Sequence, residues 1–300
     1  MSAAIEAHDL TKHYESTIGV DGLTLRVEQA EVFGFLGANG AGKTTTIRLL
    51  LDLLRPTRGW SRVNGRDSRR ESVAARSTIG YLPGAMPLYP ELSGAGYLRY
   101  LGALENRPVD GGWRDTLLRR FELGDADLSR KMTALSHGTK RKLGIVQALM
   151  GDAPLLILDE PTSGLDPLMI EAFAETIHEL RARDRTVFLS SHVLSEVEKL
   201  CDRIALIAAG RLVTVSALAD IRRSLPRRVR IVLSSPAEPP QLLQERTTDL
   251  QALDREWRFS VAGPLGPVFE ALAGLPVFDV EVNTPTLEDY ILGLYTRTRA

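Results

Sequence analysis

The stretch Gly37-Ala38-Asn39-Gly40-Ala41-Gly42-Lys43-Thr44-Thr45 constrains this chain more than any other. It follows the apolar run Val32-Phe33-Gly34-Phe35-Leu36 and opens a run of helical character, residues 44–54, that stops before Pro56. A strand, a glycine-rich turn spaced G-x-x-x-x-G-K-[ST] and a helix, in that order, make a phosphate-binding loop. Gly37, Gly40 and Gly42 let the backbone take angles closed to other residues and bring its N–H groups close to phosphate oxygens. The helix N-terminus adds free donors and partial positive charge. Lys43 is placed to neutralise the β- and γ-phosphates of a nucleotide, and the Thr44 hydroxyl to sit on Mg²⁺. A chain with this loop folds around an α/β core.

The rest of the sequence is compatible with that core. At 300 residues, 44% hydrophobic and 25% charged, it can bury a large core in one domain or two. The net charge of −1 gives no global attraction to nucleic acid, and none is expected as a partner. The basic cluster Arg66, Arg69 and Arg70 has acidic neighbours and reads as a solvated face. The single cysteine, Cys201, fits a reducing compartment and reads as a small core residue. No run approaches about 20 uninterrupted apolar residues, and residues 1–14 lack a basic-then-apolar leader pattern. The expectation is a chain that spans no membrane.

Taken in order, residues 5–14 and 19–27 alternate and predict two strands, an antiparallel piece beside the nucleotide-binding core. Asn64-Gly65 marks a turn, and Ile79-Gly80-Tyr81-Leu82 is a short strand ended by Pro83-Gly84. From about 85 to 150 no comparable strand appears; helices are expected over 94–104, 113–121 and 140–150, as a helical subdomain inserted into the core. Residues 155–158 and 186–191 are continuous apolar runs suited to parallel strands buried on both faces. Helices over 166–182 and 193–200 and a hairpin around 208–211 follow. After Ser216 the character changes. A helical piece, 217–225, leads to alternating runs at 229–233, 257–261 and 278–282 around a Pro-rich linker, then to a helical segment, 286–297. The expected domains are 1–217 and a small α+β module, 218–300.

Three further stretches carry chemistry. Asp159 ends an apolar strand and is placed to hold Mg²⁺; Glu160 follows it and is placed to polarise an attacking water. His192 ends the next apolar strand, and strand C-termini of a parallel sheet converge on one crevice, so its imidazole could reach a γ-phosphate. Ser136 can cap the helix after Leu135, and Gly138 lets backbone approach an anion, which makes a second phosphate-binding helix start.

This order of motifs resembles the ATP-binding cassette of ABC transporters, in particular the ABC-2-type, drug-export-like ATP-binding proteins. The resemblance covers about residues 4–216. Residues 37–44 match its Walker A motif, 135–139 its LSGGQ signature, 155–160 its Walker B strand with the catalytic Glu160, and 163–166 its D-loop, which brings Asp166 into the nucleotide site. His192 matches the switch histidine, and Tyr14 stands where an aromatic stacks on adenine. Gly84 stands where the family has its Q-loop glutamine, His137 where the signature has its third-position glycine, and Thr139 where it has glutamine. The tail, ending in Pro285-Thr286-Leu287-Glu288-Asp289-Tyr290, is similar to that of drug- and polymer-export ATPases.

The resemblance implies an ATPase using ATP and Mg²⁺ and a head-to-tail pair of cassettes, most simply a homodimer. It further implies a separate integral-membrane permease and a place on the inner, cytoplasmic face of the cell membrane. Each ATP would lie between residues 37–45 of one copy and Ser136 and Gly138 of the other. Exporter is the expected direction. A soluble ABC-type ATPase in translation or DNA maintenance is the alternative, although such relatives carry two cassettes in one chain or long coiled coils.

Overall fold

In the computed structural model, which describes residues 3–15, 17–87, 89–105, 108–284 and 286–291, the alternating N-terminal runs pair antiparallel. β1 (Ala3–His13) lies against β2 (Ile18–Glu28), with Ala7 opposite Leu25 and Leu10 opposite Leu23, all four side chains buried. The next strand, β3 (Val32–Leu36), is buried at every residue and delivers the chain to the glycine-rich loop and α1 (Lys43–Leu50). α1 stops earlier than the apolar pattern predicts. Asp52 takes a left-handed φ of 55°, and the N–H groups of Leu53 and Leu54 fold back to donate to Arg48 O at 2.8 and 3.1 Å. β4 (Arg58–Val63) and the two-residue β5 (Arg66–Asp67) complete the sheet β2-β1-β4-β5. Asn64 and Gly65, both at positive φ, turn the chain between them.

α2 (Ser72–Arg76) and β6 (Ile79–Leu82) precede the helical segment α3 (Gly94–Leu104), α4 (Gly111–Arg120), α5 (Asp125–Ser129) and α6 (His137–Leu149), with a 3₁₀ turn at Met132–Ala134. Side-chain caps decide where three of these start. Ser93, Asp110 and Ser136 accept from the N–H groups of Gly96, Gly112 and Thr139. Hence α4 begins at Gly111 rather than Trp113, and α6 at His137 rather than Lys140.

The chain then returns to the core as β7 (Leu155–Asp159), α7 (Pro167–Ala182), β8 (Thr186–Ser191), α8 (Leu194–Leu200), β9 (Arg203–Ala208) and β10 (Arg211–Ala217). Among the described residues these strands make one six-stranded sheet in the order β10-β9-β3-β8-β7-β6. The pairs β9-β3, β3-β8, β8-β7 and β7-β6 are parallel. β7 and β8 are buried at every residue, as expected of parallel strands covered on both faces. Phe188 of β8 meets Phe33 and Phe35 of β3 at ring distances of 5.9 and 5.4 Å, which ties the two strands by aromatic packing as well as by their ladder. Cys201 packs against Gly34, and burial pushes its thiol pKa up, which keeps it protonated and inert.

The chain divides into two compact units, residues 1–216 and 217–300. The second is a four-stranded antiparallel sheet with helices. It runs α9 (Leu218–Ser224), β11 (Arg227–Leu233), α10 (Gln241–Arg246), β12 (Thr248–Leu253), β13 (Glu256–Val261), α11 (Gly266–Leu272) and β14 (Val277–Asn283), in strand order β12-β13-β11-β14. β11, β13 and β14 are the three alternating runs; α10, β12 and α11 are elements the sequence reading did not assign. Val229, Ile231 and Leu233 alternate inward from β11, join Trp257, Phe259 and Val261 from β13, and are covered by Leu243 of α10 and by Val268 and Leu272 of α11. Of the expected terminal helix, residues 287–291 are helical and 292–297 lie outside the described residues.

Candidate functional site

Register places the chemistry. In the ladder between β3 and β8, Leu36 is paired with Ser191; between β7 and β8, Asp159 is paired with Ser190. Three adjacent parallel strands therefore end at one level, and the loop after each carries its motif to the same crevice.

The loop after β3 needs its glycines. Gly42 has φ 111°, and a Cβ there would lie 2.5 Å from Gly19 O; a Cβ on Gly37 would lie 2.6 Å from Ile207 O. Ala41 N–H donates to Ala38 O at 3.1 Å, which curls Ala38, Asn39, Gly40 and Ala41 into a turn. The first-turn N–H groups of α1 have no intrahelical acceptor, so this helix start offers donors to an anion. Lys43, only 6% exposed, donates to Gly37 O at 2.7 Å and Ala38 O at 3.3 Å, and lies 3.0 Å from Glu160 Oε1.

Thr44 follows Lys43 and donates from Oγ1 to Asp159 Oδ2 at 2.8 Å. Asp159 is fully buried, and its other oxygen accepts from Ser190 Oγ at 2.6 Å. A hydroxyl and a carboxylate oxygen so close are hard oxygen donors. Among the described residues there is no cluster of three His, Cys, Asp or Glu that could hold a metal alone. That donor set suits Mg²⁺, which is bound through one or two carboxylates plus substrate phosphates and water rather than by an all-protein cage.

Glu160 lies one residue on, with φ 51°, a conformation non-glycine residues rarely adopt. Its N–H donates to Ser190 Oγ at 3.0 Å. Its carboxylate is held on both sides, by Lys43 at 3.0 Å and by His192 Nδ1 at 2.6 Å. With Glu160 ionised, Nδ1–H is the donor of that bond. Lys43, Thr44, Asp159, Glu160 and His192 are thus brought together. Tyr14, 42% exposed, lies beside Gly19, which itself lies against Thr45. A Cβ on Gly19 would lie 2.7 Å from the Tyr14 ring and 3.1 Å from Thr45 Cγ2, and Lys12 Nζ lies 5.4 Å over the Tyr14 ring.

The other predicted positions gather separately. Ser136 is the N-cap of α6, its Oγ 3.0 Å from Thr139 N and 2.8 Å from Thr139 Oγ1. A Cβ on Gly138 would lie 3.0 Å from Gly164 O, and one on Gly164 would lie 2.6 Å from His137 Cδ2, so the turn 163–166 rests against the start of α6. Asp166 is the N-cap of α7, accepting from Met169 N at 3.0 Å.

Between the two clusters stands Arg141, which the sequence reading did not single out. It is 2% exposed, and burial draws its guanidinium pKa down to about 10 against the opposing pull of Asp159 and Glu160. Its donors reach five carbonyl oxygens: Pro83 at 2.8 Å, Gly84 at 3.3 Å, Pro161 at 3.1 Å, Asp159 at 2.5 Å, and Glu160. Its helical spacing ahead of the buried Ile145 and Leu149 is the signal that could have found it. Gly84 is itself close to the acid pair, since a Cβ there would lie 3.0 Å from Asp159 Oδ2. A cavity of about 570 Å³ in the helical segment, lined among others by Leu98, Gly102, Val109 and Met150, includes none of these residues.

A family model described as ABC transporter matches residues 20–163. The chain is 32% identical over 306 residues to the bacitracin transport ATP-binding protein BcrA of Bacillus licheniformis, covering 98% of each chain. It is 37% identical over 221 residues to the Nod factor export ATP-binding protein I of Paraburkholderia xenovorans, covering 72% of this chain and 71% of that one. A solved structure of an ATP-binding subunit of an ABC transporter superposes with a TM-score of 0.67 at 33% identity, covering 73% of this chain and 92% of that one.

Proposed function

The chain belongs to the family of ABC transporter ATP-binding proteins, which hydrolyse ATP, and we propose that it is the ATPase subunit of a multicomponent exporter. The observation that carries the catalytic assignment is the Glu160 carboxylate, held between Lys43 and His192 beside the Thr44–Asp159 pair, at the ends of three adjacent parallel strands. Residues 37–45 cradle the phosphates through backbone N–H groups, with Tyr14 against the base. Lys43 exchanges part of its present contacts for the β- and γ-phosphates. Thr44 and Asp159 would hold Mg²⁺, which would supply charge neutralisation. Glu160 orients a water and takes up its proton, and His192, bonded to Glu160, steadies that carboxylate and reaches toward the γ-phosphate.

Ser136 and Gly138 lie at a second helix start, whose free N–H groups would donate to an anion, and the chain carries one such start and one glycine-rich loop. Two copies arranged head to tail would supply two complete nucleotide sites. This supports a homodimer that closes on ATP and opens after hydrolysis. The helical segment between β6 and β7 passes that motion to a separate membrane permease, with the ATPase peripheral on the inner face of the membrane. Among the described residues no helix is long and apolar enough to cross a membrane. The name of the Nod factor relative supports export as the direction. Residues 217–300 form an accessory module that stabilises or regulates the pair.

Glu160→Gln is expected to cut turnover roughly 10²–10⁴-fold while ATP binding survives, read by phosphate release and by equilibrium binding of labelled ATP. Unchanged turnover would remove Glu160 from its assigned role. The same variant, purified with Mg-ATP from detergent-solubilised membranes, is expected to bring a multispanning protein in fixed stoichiometry. Recovery with ribosomes or DNA would favour a soluble ATPase instead.

A further inference from the structure

Arg141 hydrogen-bonds main chain and not the carboxylates of the nucleotide cluster. Its five acceptors come from two strand ends, Pro83 and Gly84 after β6, and Asp159 at the end of β7 with Glu160 and Pro161 after it. A guanidinium carries its N–H donors in one rigid plane, so acceptors bound to it are fixed relative to one another. The carbonyl groups before, at and after the Cα of Glu160 are therefore pinned, while the Glu160 N–H is pinned by Ser190 Oγ at 3.0 Å. This is the residue with the unfavourable φ of 51°, and such backbone persists only where surroundings over-determine it. Arg141 also sits just over one turn into α6, the helix that Ser136 starts. The same helix seats the loop after β6 a second time, because Met86 Sδ lies where a Cβ on Gly144 would be, 2.4 Å away.

We infer that Arg141 is a positioning residue: it fixes the backbone of Glu160 and makes the start of α6, the loop after β6 and the turn after β7 move as one body. A shift of α6 caused by a group bound at Ser136 then reaches the hydrolytic carboxylate through the main chain, with no side chain required at Gly84. This rests on the role of Glu160 given above.

The test uses the full chain with Arg141→Lys, Arg141→Met and, as control, Glu160→Gln. A lysine keeps the charge but cannot hold five carbonyls in a plane. Arg141→Lys is expected to lower kcat by roughly 10- to 100-fold, the scale of a misplaced catalytic group, with ATP affinity within about threefold of the parent. Hydrogen exchange of the amides over 160–165 is expected to rise about tenfold or more, with exchange over 227–261 unchanged. Parental kcat in a folded Arg141→Lys protein overturns the inference. So does a loss in which kcat and ATP affinity fall together in step with thermal stability, the signature of a residue that only supports the fold. Arg141→Met, if it folds, is expected to show a larger kcat loss than lysine; if it does not fold, Arg141→Lys decides alone. Parental turnover in Glu160→Gln defeats the assignment of Glu160 whatever Arg141 does, whereas an inactive Glu160→Gln beside a fully active Arg141→Lys defeats only this inference.

Discussion

Asp159 and Gly42 show how much single residues here depend on backbone geometry. Asp159 is fully buried and accepts from two hydroxyls, Thr44 Oγ1 and Ser190 Oγ, so its place is set by hydrogen bonds, while its charge is left for a cation. Asp159→Asn keeps the shape and removes the charge. It is expected to fold and to lose Mg²⁺-dependent turnover by at least tenfold, as read by phosphate release across a Mg²⁺ titration. Gly42→Ala meets two penalties, a left-handed φ of 111° and a contact at 2.5 Å with Gly19 O. It is expected to cost roughly 2 kcal/mol or more in urea unfolding and to abolish ATP binding. Both residues were legible because their spacing is itself a chemical constraint. Arg141 was not. In the run Lys140-Arg141-Lys142 it looks like one more solvated cation, and only the helical periodicity of its neighbours distinguishes it.

Helix starts and strand interiors divide the work at the level of elements. Asp166 caps α7, and Ser136 caps α6, each by one side-chain oxygen on one N–H. If Asp166 acts through the cap, Asp166→Ala is expected to cost about 1 kcal/mol and Asp166→Asn close to nothing, measured by thermal unfolding. A parallel loss of turnover in the asparagine variant would show instead that its charge matters to the nucleotide. Inside the sheet, Phe188→Ala removes the ring that joins Phe33 to Phe35 and is expected to cost about 3–5 kcal/mol. The strands β3, β7 and β8 were legible because continuous apolar runs of that length suit little else beside a phosphate loop. The helix starts of α4 and α6 were displaced by two and three residues because a cap, not the apolar period, sets them.

The two units of the whole molecule differ in what holds them. The first is built on a two-faced parallel sheet; the second adds an exposed ionic face to a small core. There, Glu256 is bonded by Arg230 at 2.8 and 3.0 Å and by Arg258 at 2.6 Å, and these partners draw its carboxyl pKa from 4.5 down to about 2. A depressed carboxyl stabilises the folded form above its unfolded value, and that stabilisation disappears as pH falls from about 4.5 toward 2. Protection factors over residues 227–261, taken relative to the intrinsic amide rate at each pH, are therefore expected to fall through that window in the parent. Glu256→Gln is expected to show lower protection at neutral pH and a shallower change in protection on acidification. The sequence showed this unit's three inward-alternating strands. It concealed β12, whose side chains are nearly all exposed, and α10 and α11, which have six and seven residues and begin beside prolines.

The level at which β3, β7 and β8 end bears on how such a chain can change over time. Leu36, Asp159 and Ser191 are far apart in sequence and are brought into line only by ladder pairing. Length can be added between α3 and α4, or between α7 and β8, without disturbing that line, because no ladder runs through those connections. One residue inserted inside β7 turns every side chain after it to the opposite face and carries Asp159 away from Thr44. Novelty is thus free to accumulate in the connections, while the few residues within the strands hold their count.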